Sequence, residues 1–414
     1  MKVFKFGGAS LKNAAKIKQV ASILASIPKN QLLVVVSAMG KTTNLLEQIH
    51  TYAAESLPYE ELLNTCKQYH TQIITELFFE STEVTKEVED QFTLLELQLK
   101  SGLPFDQVYD QVVSKGEIIS SIIVHHFLRQ LGFPTAWLDA KTCIATDRTF
   151  REGKIDWQKT TENIIHIEPL LQRHIVITQG FIGGTEDQYT TTLGREGSDF
   201  SAAIFASCLK ADSVTIWKDV PGVMNADPKR MNAAVVFDEL PFREAAEMTY
   251  YGASVIHPKT IKPLANKGIS LYVKNFDDPT LPGTHIHECI VDDLPPLIVF
   301  KDNQCLVSCK VTDYSFINEN QLSTIFSYLN ELDIRINVMQ NSAISFSFCI
   351  DFRESKLKAL IQKLQRHFEV YYNTGLTLIT VKNYDEATFE AYRKKPGVIL
   401  EQSSRSTLQV LMKL

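Results

Sequence analysis

The sequence predicts an α/β fold with a mostly parallel sheet sandwiched by helices, followed by a smaller C-terminal α+β domain. Short apolar runs alternate with glycine turns and helical patterns up to residue 290. Polar loops follow several of these runs, and parallel sheets collect such loops at one edge, where ligands bind. Beyond residue 296 the pattern changes to strand, helix, strand, strand, helix, strand, which is the βαββαβ order. The last strand of this unit is predicted at residues 369–372, and a second, shorter unit begins with a strand at residues 377–382.

Length and composition are those of a soluble globular protein with two or three domains. The chain has 414 residues, 44% hydrophobic and 22% charged, with a net charge of −6. This charge argues against nucleic acid or an anionic membrane surface as the main partner. No uncharged run is long enough for a membrane helix. Seven cysteines without a CxxC pair and an N-terminus without an apolar signal core predict a reduced, cytoplasmic protein.

A glycine turn follows the first predicted strand. Lys2–Phe6 is the strand, Gly7 and Gly8 end it, and residues 14–27 show helical spacing. The backbone N–H groups of such a turn and the following helix favour an anion. Lys5 lies beside them and could follow a phosphoryl group during transfer. The order differs from a Walker motif, in which the lysine follows the glycines, so a plain turn with a solvated lysine stays open.

The next segments repeat this pattern. Leu32–Val36 is continuously aliphatic, which is typical of a buried parallel strand. A small polar loop with Ser37 and Thr43 follows it, and the chain is then mostly helical up to Leu131. Glu117 lies at the start of one of these helices, where the helix dipole favours a carboxylate. By itself, Glu117 fits a surface cap as well as it fits a ligand role.

The segment Thr190–Asp199 carries the most chemistry. It holds three threonines, two glycines, Arg195, Ser198 and Asp199, and lies between a strand-like run at residues 174–181 and a helical run at residues 200–209. Arg195 offers a forked cation suited to a carboxylate or a phosphate. A helix cap would explain Ser198 and Asp199 but not the arginine or the threonines, so the pattern favours a ligand site.

A fourth buried strand is predicted at Ser213–Trp217. Turn residues follow it, together with Lys218, Asp219 and Lys229. Charged groups after a strand of this kind suit the nucleotide edge of a sheet.

A turn-rich segment at residues 278–284 holds two prolines and a glycine and marks a domain boundary. His285 and His287 follow on what we expect to be an exposed, solvated turn. We place domains at residues 1–290, 297–373 and 374–414, the last being abbreviated. The tandem βαββ modules of the tail fit a regulatory sensor or a dimerisation unit equally well.

Three motifs in this order resemble the aspartokinases of the amino acid kinase superfamily. They are Lys5-Phe-Gly-Gly-Ala-Ser10, Thr191-Thr-Leu-Gly-Arg-Glu-Gly-Ser-Asp199 and Trp217-Lys-Asp-Val-Pro-Gly222. The resemblance continues through residues 244–258, and the tail is similar to paired ACT modules. It implies the amino acid kinase fold and MgATP-dependent phosphorylation of the side-chain carboxylate of L-aspartate to 4-phospho-L-aspartate. That reaction is the first step toward lysine, threonine, methionine and isoleucine.

The resemblance also implies roles for single residues. Lys5 and Asp199 would be catalytic. ATP would contact Lys5, Gly7, Gly8, Lys218, Asp219, Met224, Lys229 and Ser254. Aspartate would contact Ser37, Thr43, Glu117, Arg195 and Ser198, with Glu117 on its ammonium group and both Arg195 and Ser198 on a carboxylate. Mg²⁺ would be held mainly by the nucleotide phosphates, and we expect no metal site made by the protein alone.

Some positions depart from the family pattern. Ala9, Met224 and Ser254 stand where relatives often have threonine, an aromatic residue and lysine, which bears on the contacts to ATP. In the tail, four residues resemble the strand pair that binds a feedback amino acid, lysine or threonine, at an ACT dimer interface: Met339, Gln340, Asn341 and Ser342. The resemblance implies a homodimer or larger homo-oligomer, and a plain dimer contact is the alternative for this strand.

Two other functions remain open from the sequence. One is a related amino acid kinase acting on glutamate, and the other is a catalytically inactive amino-acid sensor. Glu117, Arg195 and Ser198 favour a free α-amino acid, because the capped amine of an N-acetylated substrate could not pair with Glu117. The presence of Lys5 and Asp199 disfavours the inactive sensor.

Overall fold

A computed structural model describes residues 1–27, 31–253, 256–291, 293–312 and 315–413. The chain forms two compact units. The first unit comprises residues 1–223, residues 236–246 and the described part of 255–291. The second comprises residues 224–235 and the described parts of 247–254 and 292–414. A search of the described helices finds none long and apolar enough to cross a membrane.

The first unit contains an eight-stranded sheet with the order β3-β4-β2-β1-β7-β9-β10-β8, and a separate hairpin of β5 and β6. The strands are β1 (Lys2–Phe6), β2 (Leu32–Val36), β3 (Thr135–Leu138), β4 (Ile175–Gln179), β5 (Ile182–Gly184), β6 (Thr190–Thr192), β7 (Ser213–Lys218), β8 (Glu239–Pro241), β9 (Ser270–Asn275) and β10 (Thr284–His287). Neighbouring strands are parallel except β9 and β10, which are antiparallel. The predicted mostly parallel sheet is therefore confirmed. His285 and His287 lie on β10 rather than on an exposed turn.

Helices connect these strands. They are α1 (Ala14–Ala25), α2 (Thr42–Ala54), α3 (Glu60–Leu77), α4 (Thr82–Leu99), α5 (Phe105–Val113), α6 (Lys115–Gln130), α7 (Ala140–Cys143), α8 (Trp157–Ile165), α9 (Glu168–Arg173), α10 (Gly197–Cys208), α11 (Phe242–Tyr251) and α12 (Pro258–Ala265). A short 3₁₀ turn, Gly8–Leu11, follows β1. Asn13 caps α1 by accepting a hydrogen bond from the backbone N–H of Lys16.

Strand β1 lies in the centre of the sheet and sets the position of the site. Phe4 and Phe6 pack into the apolar cluster formed with α1–α6. Because side chains alternate along a strand, Lys5 points to the opposite face, where α10 packs on β1. Phe6 is in register with Val36 of β2 and with Trp217 of β7, so the three parallel strands end together. Their following loops therefore meet at one edge.

The second unit contains a six-stranded antiparallel sheet with the order β12-β13-β11-β14-β16-β15. Its elements are β11 (Leu297–Lys310), α13 (Glu319–Glu331), β12 (Ile336–Asn341), β13 (Ser345–Asp351), α14 (Glu354–Leu364), β14 (Glu369–Lys382), α15 (Glu386–Arg393), β15 (Val398–Ser403) and β16 (Thr407–Met412). The predicted α+β tail is confirmed.

One strand of this sheet differs from the sequence prediction. Two strands were expected at residues 369–372 and 377–382, but both belong to the continuous strand β14. The strand continues through Gly375, whose φ is +68°, while its pairing with β11 shifts register near Gln304. Strand β14 thus crosses residue 373, where we place the boundary between the two modules, and one sheet contains strands from both.

All seven cysteines of the chain are free thiols. Six are buried and Cys289 is half-buried. Cys305 and Cys309 lie on β11 and pack into the apolar cluster beneath α13 and α14. Their role is therefore in packing.

Candidate active site

A cleft of about 600 Å³ lies at the edge where β1, β2 and β7 end. The wall of this cleft contains nine of the residues that the sequence predicts for the site: Lys5, Gly8, Ser37, Thr43, Glu117, Arg195, Ser198, Asp199 and Lys218. They come from the ends of β1 and β7, from the segments that follow β1 and β2, and from the first turns of α2, α6 and α10 with the loop before α10. The fold thus collects groups that lie as far apart in the sequence as Lys5 and Lys218.

Asp199 lies between two lysines in this cleft. Its Oδ1 is 2.6 Å from Lys5 Nζ, and its Oδ2 is 3.2 Å from Lys218 Nζ. Burial by itself would raise the pKa of Asp199, but the charges of Lys5 and Lys218 outweigh it, so the net pKa is lowered. Asp199 is therefore ionised at neutral pH and holds two ammonium groups at the strand ends.

Gly8 brings the backbone after β1 close to the loop after β2. A Cβ atom on Gly8 would lie 2.7 Å from the carbonyl oxygen of Ala38 and 3.0 Å from that of Gly40. Such distances exclude any side chain, so glycine is required here. At Gly7, a Cβ atom would lie 3.5 Å from Lys5 Nζ. The backbone of this turn therefore lies directly beside the lysine cation.

Glu117 is a buried carboxylate on the other side of the cleft. It accepts a hydrogen bond from Ser198 Oγ, which is 3.0 Å from Oε1 and 3.3 Å from Oε2. Burial raises the pKa of Glu117 to about 8, although the backbone of Ala38 and Gly180, the charge of Lys5 and the Ser198 hydroxyl all act in the opposite direction. A buried acid in this environment is suited to binding a cation.

The first turn of α10 carries two of the site residues. The helix begins at Gly197, earlier than the predicted start at residue 200, so Ser198 and Asp199 are inside it. Glu196 occupies the cap position and makes no capping bond through its side chain. The alternative that Ser198 and Asp199 are ordinary cap residues is therefore wrong. The preceding threonines also form strand β6 rather than a plain loop.

The loop before α10 has an unusual backbone. Gly194 and Glu196 both have positive φ values, +75° and +54°. A positive φ is uncommon for a glutamate, and such conformations cluster at functional sites. Between them, Arg195 is exposed at the cleft wall. Glu196 Oε2 is buried and has no hydrogen-bond partner in the described part of the chain.

Asp110 on α5 was not predicted as a site residue from the sequence. It is fully buried and accepts hydrogen bonds from the backbone N–H of Arg151 at 2.9 Å, from the N–H of Thr192 at 2.9 Å and from Thr192 Oγ1 at 2.7 Å. Burial raises the pKa of Asp110 to about 6, although these hydrogen bonds oppose the rise. Asp110 therefore fixes the end of β6, directly before the loop that carries Arg195.

The cleft wall includes other groups that were not predicted. Glu47, Tyr109 and Arg151 line it, and the Arg151 guanidinium lies over the Tyr109 ring at 4.2 Å. Tyr109 also donates a hydrogen bond to Glu47. For Asp110, the sequence does contain a signal: it is an acidic residue inside a nine-residue helix that is rich in valine and aromatic residues.

Some predicted residues are not brought into this wall. Asp219 is exposed just after β7, and Met224 and Lys229 belong to the second unit. Ser254 lies outside the described residues. The four tail residues 339–342 are exposed, on or just after β12, which is the edge strand of its sheet. The roles of these residues stay predictions.

Comparison with known proteins gives the family. The sequence model described as "Amino acid kinase family" matches residues 1–275, which is well over half of the chain. The chain therefore belongs to the amino acid kinase family. Within that family it is an aspartokinase. It is 31% identical to lysine-sensitive aspartokinase 3 of Escherichia coli (strain K12), in an alignment that covers 92% of this chain and 87% of that protein.

A longer relative and two solved structures are also aspartokinases. The chain is 30% identical, over 88% of its length, to the chloroplastic bifunctional aspartokinase/homoserine dehydrogenase 1 of Arabidopsis thaliana, of which it spans 42%. Escherichia coli aspartokinase III in complex with aspartate and ADP (R-state) is 27% identical, with a TM-score of 0.86, covering 100% of this chain and 96% of that one. The same enzyme with lysine and aspartate (T-state) is 26% identical, with a TM-score of 0.82 and the same coverage.

Proposed function

We propose that the chain transfers the γ-phosphoryl group of MgATP to the side-chain carboxylate of L-aspartate, giving 4-phospho-L-aspartate and ADP. One observation carries this proposal: a single cleft contains both the Lys5–Asp199–Lys218 group and the Glu117–Ser198 pair. The first group suits phosphates and the second suits an ammonium ion. The Escherichia coli relative was solved in complex with aspartate and ADP, which supports aspartate and ATP as the substrates.

The reaction needs little covalent help from the protein. An aspartate oxygen forms the bond to phosphorus while the bond between that phosphorus and the ADP oxygen breaks. The attacking carboxylate is already ionised at neutral pH, so no general base is required. Catalysis then depends on positioning and on stabilising the charge of the transferring group. Lys5, paired with Asp199 at 2.6 Å, is the cation placed for that purpose.

The two ends of the amino acid are held by different groups. Glu117 takes the ammonium group, and Arg195 takes the α-carboxylate through its forked guanidinium. Ser198 donates to Glu117 and orients it. Ser37 and Thr43 line the same wall and complete the contacts to aspartate. This arrangement selects a free α-amino group.

The carboxylates of the cleft fit a magnesium ion bound with ATP. Mg²⁺ prefers oxygen ligands, and Glu196 has a buried carboxylate oxygen without a hydrogen-bond partner among the described residues. Glu196 and Asp199 would face the ion, while the phosphates supply most of its ligands. When bound, Mg²⁺ neutralises part of the negative charge on the phosphates.

A hydroxamate assay with MgATP tests the proposal and separates it from its alternatives. We expect product with aspartate. Product with glutamate alone would instead identify a related kinase, and a folded protein that gives no product with either acid would be a sensor. Omitting ATP is the control for non-enzymatic acyl transfer.

We also propose that the second unit mediates feedback regulation. The T-state complex of the Escherichia coli relative contains lysine, which makes lysine the first candidate effector, with threonine as the second. The exposed edge strand β12 offers unpaired backbone groups to a second copy of the chain, so a homodimer or larger homo-oligomer is expected. Light scattering with and without lysine measures the oligomeric state directly.

We place the protein in the cytoplasm on the basis of its free thiols.

A further inference from the structure

A polar cavity of about 420 Å³ lies in the first unit, separate from the cleft described above. Its wall is formed by α4 and the loop after it, by α5, α6 and α7, and by the turn between β5 and β6. Two lysines line it, Lys115 at the start of α6 and Lys141 on α7. The other described residues of this wall are neutral, and none of them also lines the cleft. Among the described residues, the cavity therefore contains two cations and no acid.

The two lysines form no ion pair within the ranges that the structure describes. Lys115 Nζ donates a hydrogen bond to the neutral side chain of Gln91, 2.9 Å from its Oε1. Asp139, the acid just before α7, accepts a hydrogen bond from the backbone N–H of Lys141 at 3.0 Å and thereby caps that helix. The acid closest to Lys141 in the sequence is thus used by the backbone.

Placing these two cations at one cavity costs free energy. Burial and the charge of Lys141 lower the pKa of Lys115 to about 8, although the charge of Asp139 acts in the opposite direction. Lys115 is also the first residue of α6, where the helix dipole disfavours a cation. A bound anion would remove these penalties, because it would supply the missing negative charge.

The polar groups of the wall suit the oxygens of an anion. Gln98 lines the cavity, and its buried side-chain oxygen has no hydrogen-bond partner in the part of the chain that the structure describes, so the amide is available to a ligand. Ser101 and Tyr189 carry hydroxyl groups and line the same wall. Two ammonium groups match two negative charges. We propose that Lys115 and Lys141 bind a small dianion with oxygen atoms, either inorganic phosphate or a dicarboxylate.

The anion site lies beside segments that carry residues of the cleft. Lys115 is two residues before Glu117 on α6. Gln111 of α5 also lines the cavity; it donates a hydrogen bond to the Thr190 carbonyl at 2.7 Å and accepts one from the Thr190 N–H at 3.2 Å. Thr190 begins β6, which leads into the loop before α10. An anion held by the two lysines would therefore fasten α6 to α7 next to this strand and stabilise the first unit.

The competing explanation is a solvent-filled cavity whose lysines bind no anion. Isothermal titration of the full chain with sodium phosphate, and separately with sodium succinate, distinguishes the two. Both titrations contain aspartate, Mg²⁺ and the β,γ-methylene analogue of ATP to occupy the cleft, and sodium chloride at equal ionic strength is the blank. We expect one saturable site per chain, and the probe that binds more tightly identifies the class of anion. The absence of saturable binding with both probes would overturn the proposal.

Variants locate the anion. Lys115→Met and Lys141→Met should each weaken binding of the tighter probe about tenfold or more, since each removes a charge-assisted hydrogen bond. Lys159→Met changes an exposed lysine of α8 that does not line the cavity; it is the matched control and should bind as the wild type does. Unchanged binding in both Lys115→Met and Lys141→Met would place the anion elsewhere and overturn the proposal.

Thermal melting with the same cleft ligands adds a readout that holds whether or not the chain is an active kinase. Without phosphate or succinate, Lys115→Met should melt at or above the temperature of the wild type, because it removes a buried cation that lacks a counter-charge. Either probe that binds should raise the melting temperature of the wild type but not that of Lys115→Met. A marked loss of stability in Lys115→Met without anion would mean that the folded chain already balances this charge, and would contradict the proposal.

Discussion

Replacing Glu117 by glutamine removes the charge from the ammonium site while keeping the size of the side chain. In the protein without substrate, burial raises the pKa of Glu117 to about 8, so the neutral acid predominates at pH 7. An ammonium group needs the carboxylate, so aspartate binding must displace this proton. The affinity of the wild type for aspartate should therefore rise about tenfold per pH unit below pH 8 and level off above it.

The size of the loss in affinity for aspartate in Glu117→Gln follows from the burial of Glu117. Removing one partner of a buried charge pair costs about 2–5 kcal/mol, which corresponds to a rise in the KM for aspartate of roughly thirtyfold to several-thousandfold above pH 8. At pH 6 most wild-type molecules hold the neutral acid, and the wild type has already lost about a hundredfold in affinity. The difference between Glu117→Gln and the wild type should therefore narrow as pH falls.

The assay is the initial rate of hydroxamate formation at saturating MgATP, measured over about pH 6 to 9, which spans the pKa in question. Ser198→Ala is the control, because it removes the hydroxyl donor but keeps the carboxyl group: the KM for aspartate should still depend on pH, with the midpoint moved to higher pH because the Ser198 hydroxyl lowers the pKa of Glu117. If Glu117→Gln showed the same dependence of the KM for aspartate on pH as the wild type, the assignment of Glu117 to the ammonium group would be wrong.

Protein stability provides a second measurement on the same residue. The folded state holds the Glu117 proton up to about pH 8, whereas the unfolded chain loses it near 4.5. Between these values the folded state binds more protons, so the wild type loses stability as pH rises, on the order of several kcal/mol in total. Glu117→Gln should lack this decline, as urea unfolding at a series of pH values would show.

Four further substitutions test other parts of the structure. Lys5→Ala should lower kcat at least about a hundredfold by removing a preorganised charge, with normal melting because Asp199 keeps its second lysine; a near-normal kcat would remove Lys5 from catalysis. Arg195→Ala should raise the KM for aspartate and leave that for ATP unchanged in steady-state kinetics. Asp110→Asn should cost about 1–3 kcal/mol in urea unfolding, because its amide faces backbone donors. Met339→Lys should weaken inhibition in lysine and threonine titrations without changing the uninhibited kcat.

The sequence was sufficient for the centre of the fold and most of the site. Leu32–Val36 is predicted correctly because a continuous aliphatic run is typical of a parallel strand buried on both faces. Once β1, β2 and β7 are identified, chemistry at their ends must meet, since parallel strands end at a common edge. This is why Lys5, Ser37 and Lys218 could be assigned to one cleft before their positions were known.

What could not be predicted depends on contacts between distant segments. Nothing near Asp110 in the sequence indicates that it receives the backbone of Thr192, which is 82 residues away. Likewise, the Glu239 carboxylate lies beside His287 because of the register of two strands, and register is a property of the folded sheet. The break expected near Gly375 was wrong for a related reason, because pairing with β11 and β16 outweighs the local preference for a turn.

The first turn of α10 links the two halves of the cleft. Ser198 and Asp199 are adjacent, and neighbouring residues on a helix point about 100° apart. Ser198 therefore reaches Glu117, while Asp199 reaches Lys5 and Lys218. A Cβ atom on Gly180 would lie 2.5 Å from Ser198 Cβ, so the helix start is pressed against the end of β4. Because one rigid turn fixes both groups, the helix itself sets the distance between the bound ammonium group and the two lysines, Lys5 and Lys218, that face the phosphates.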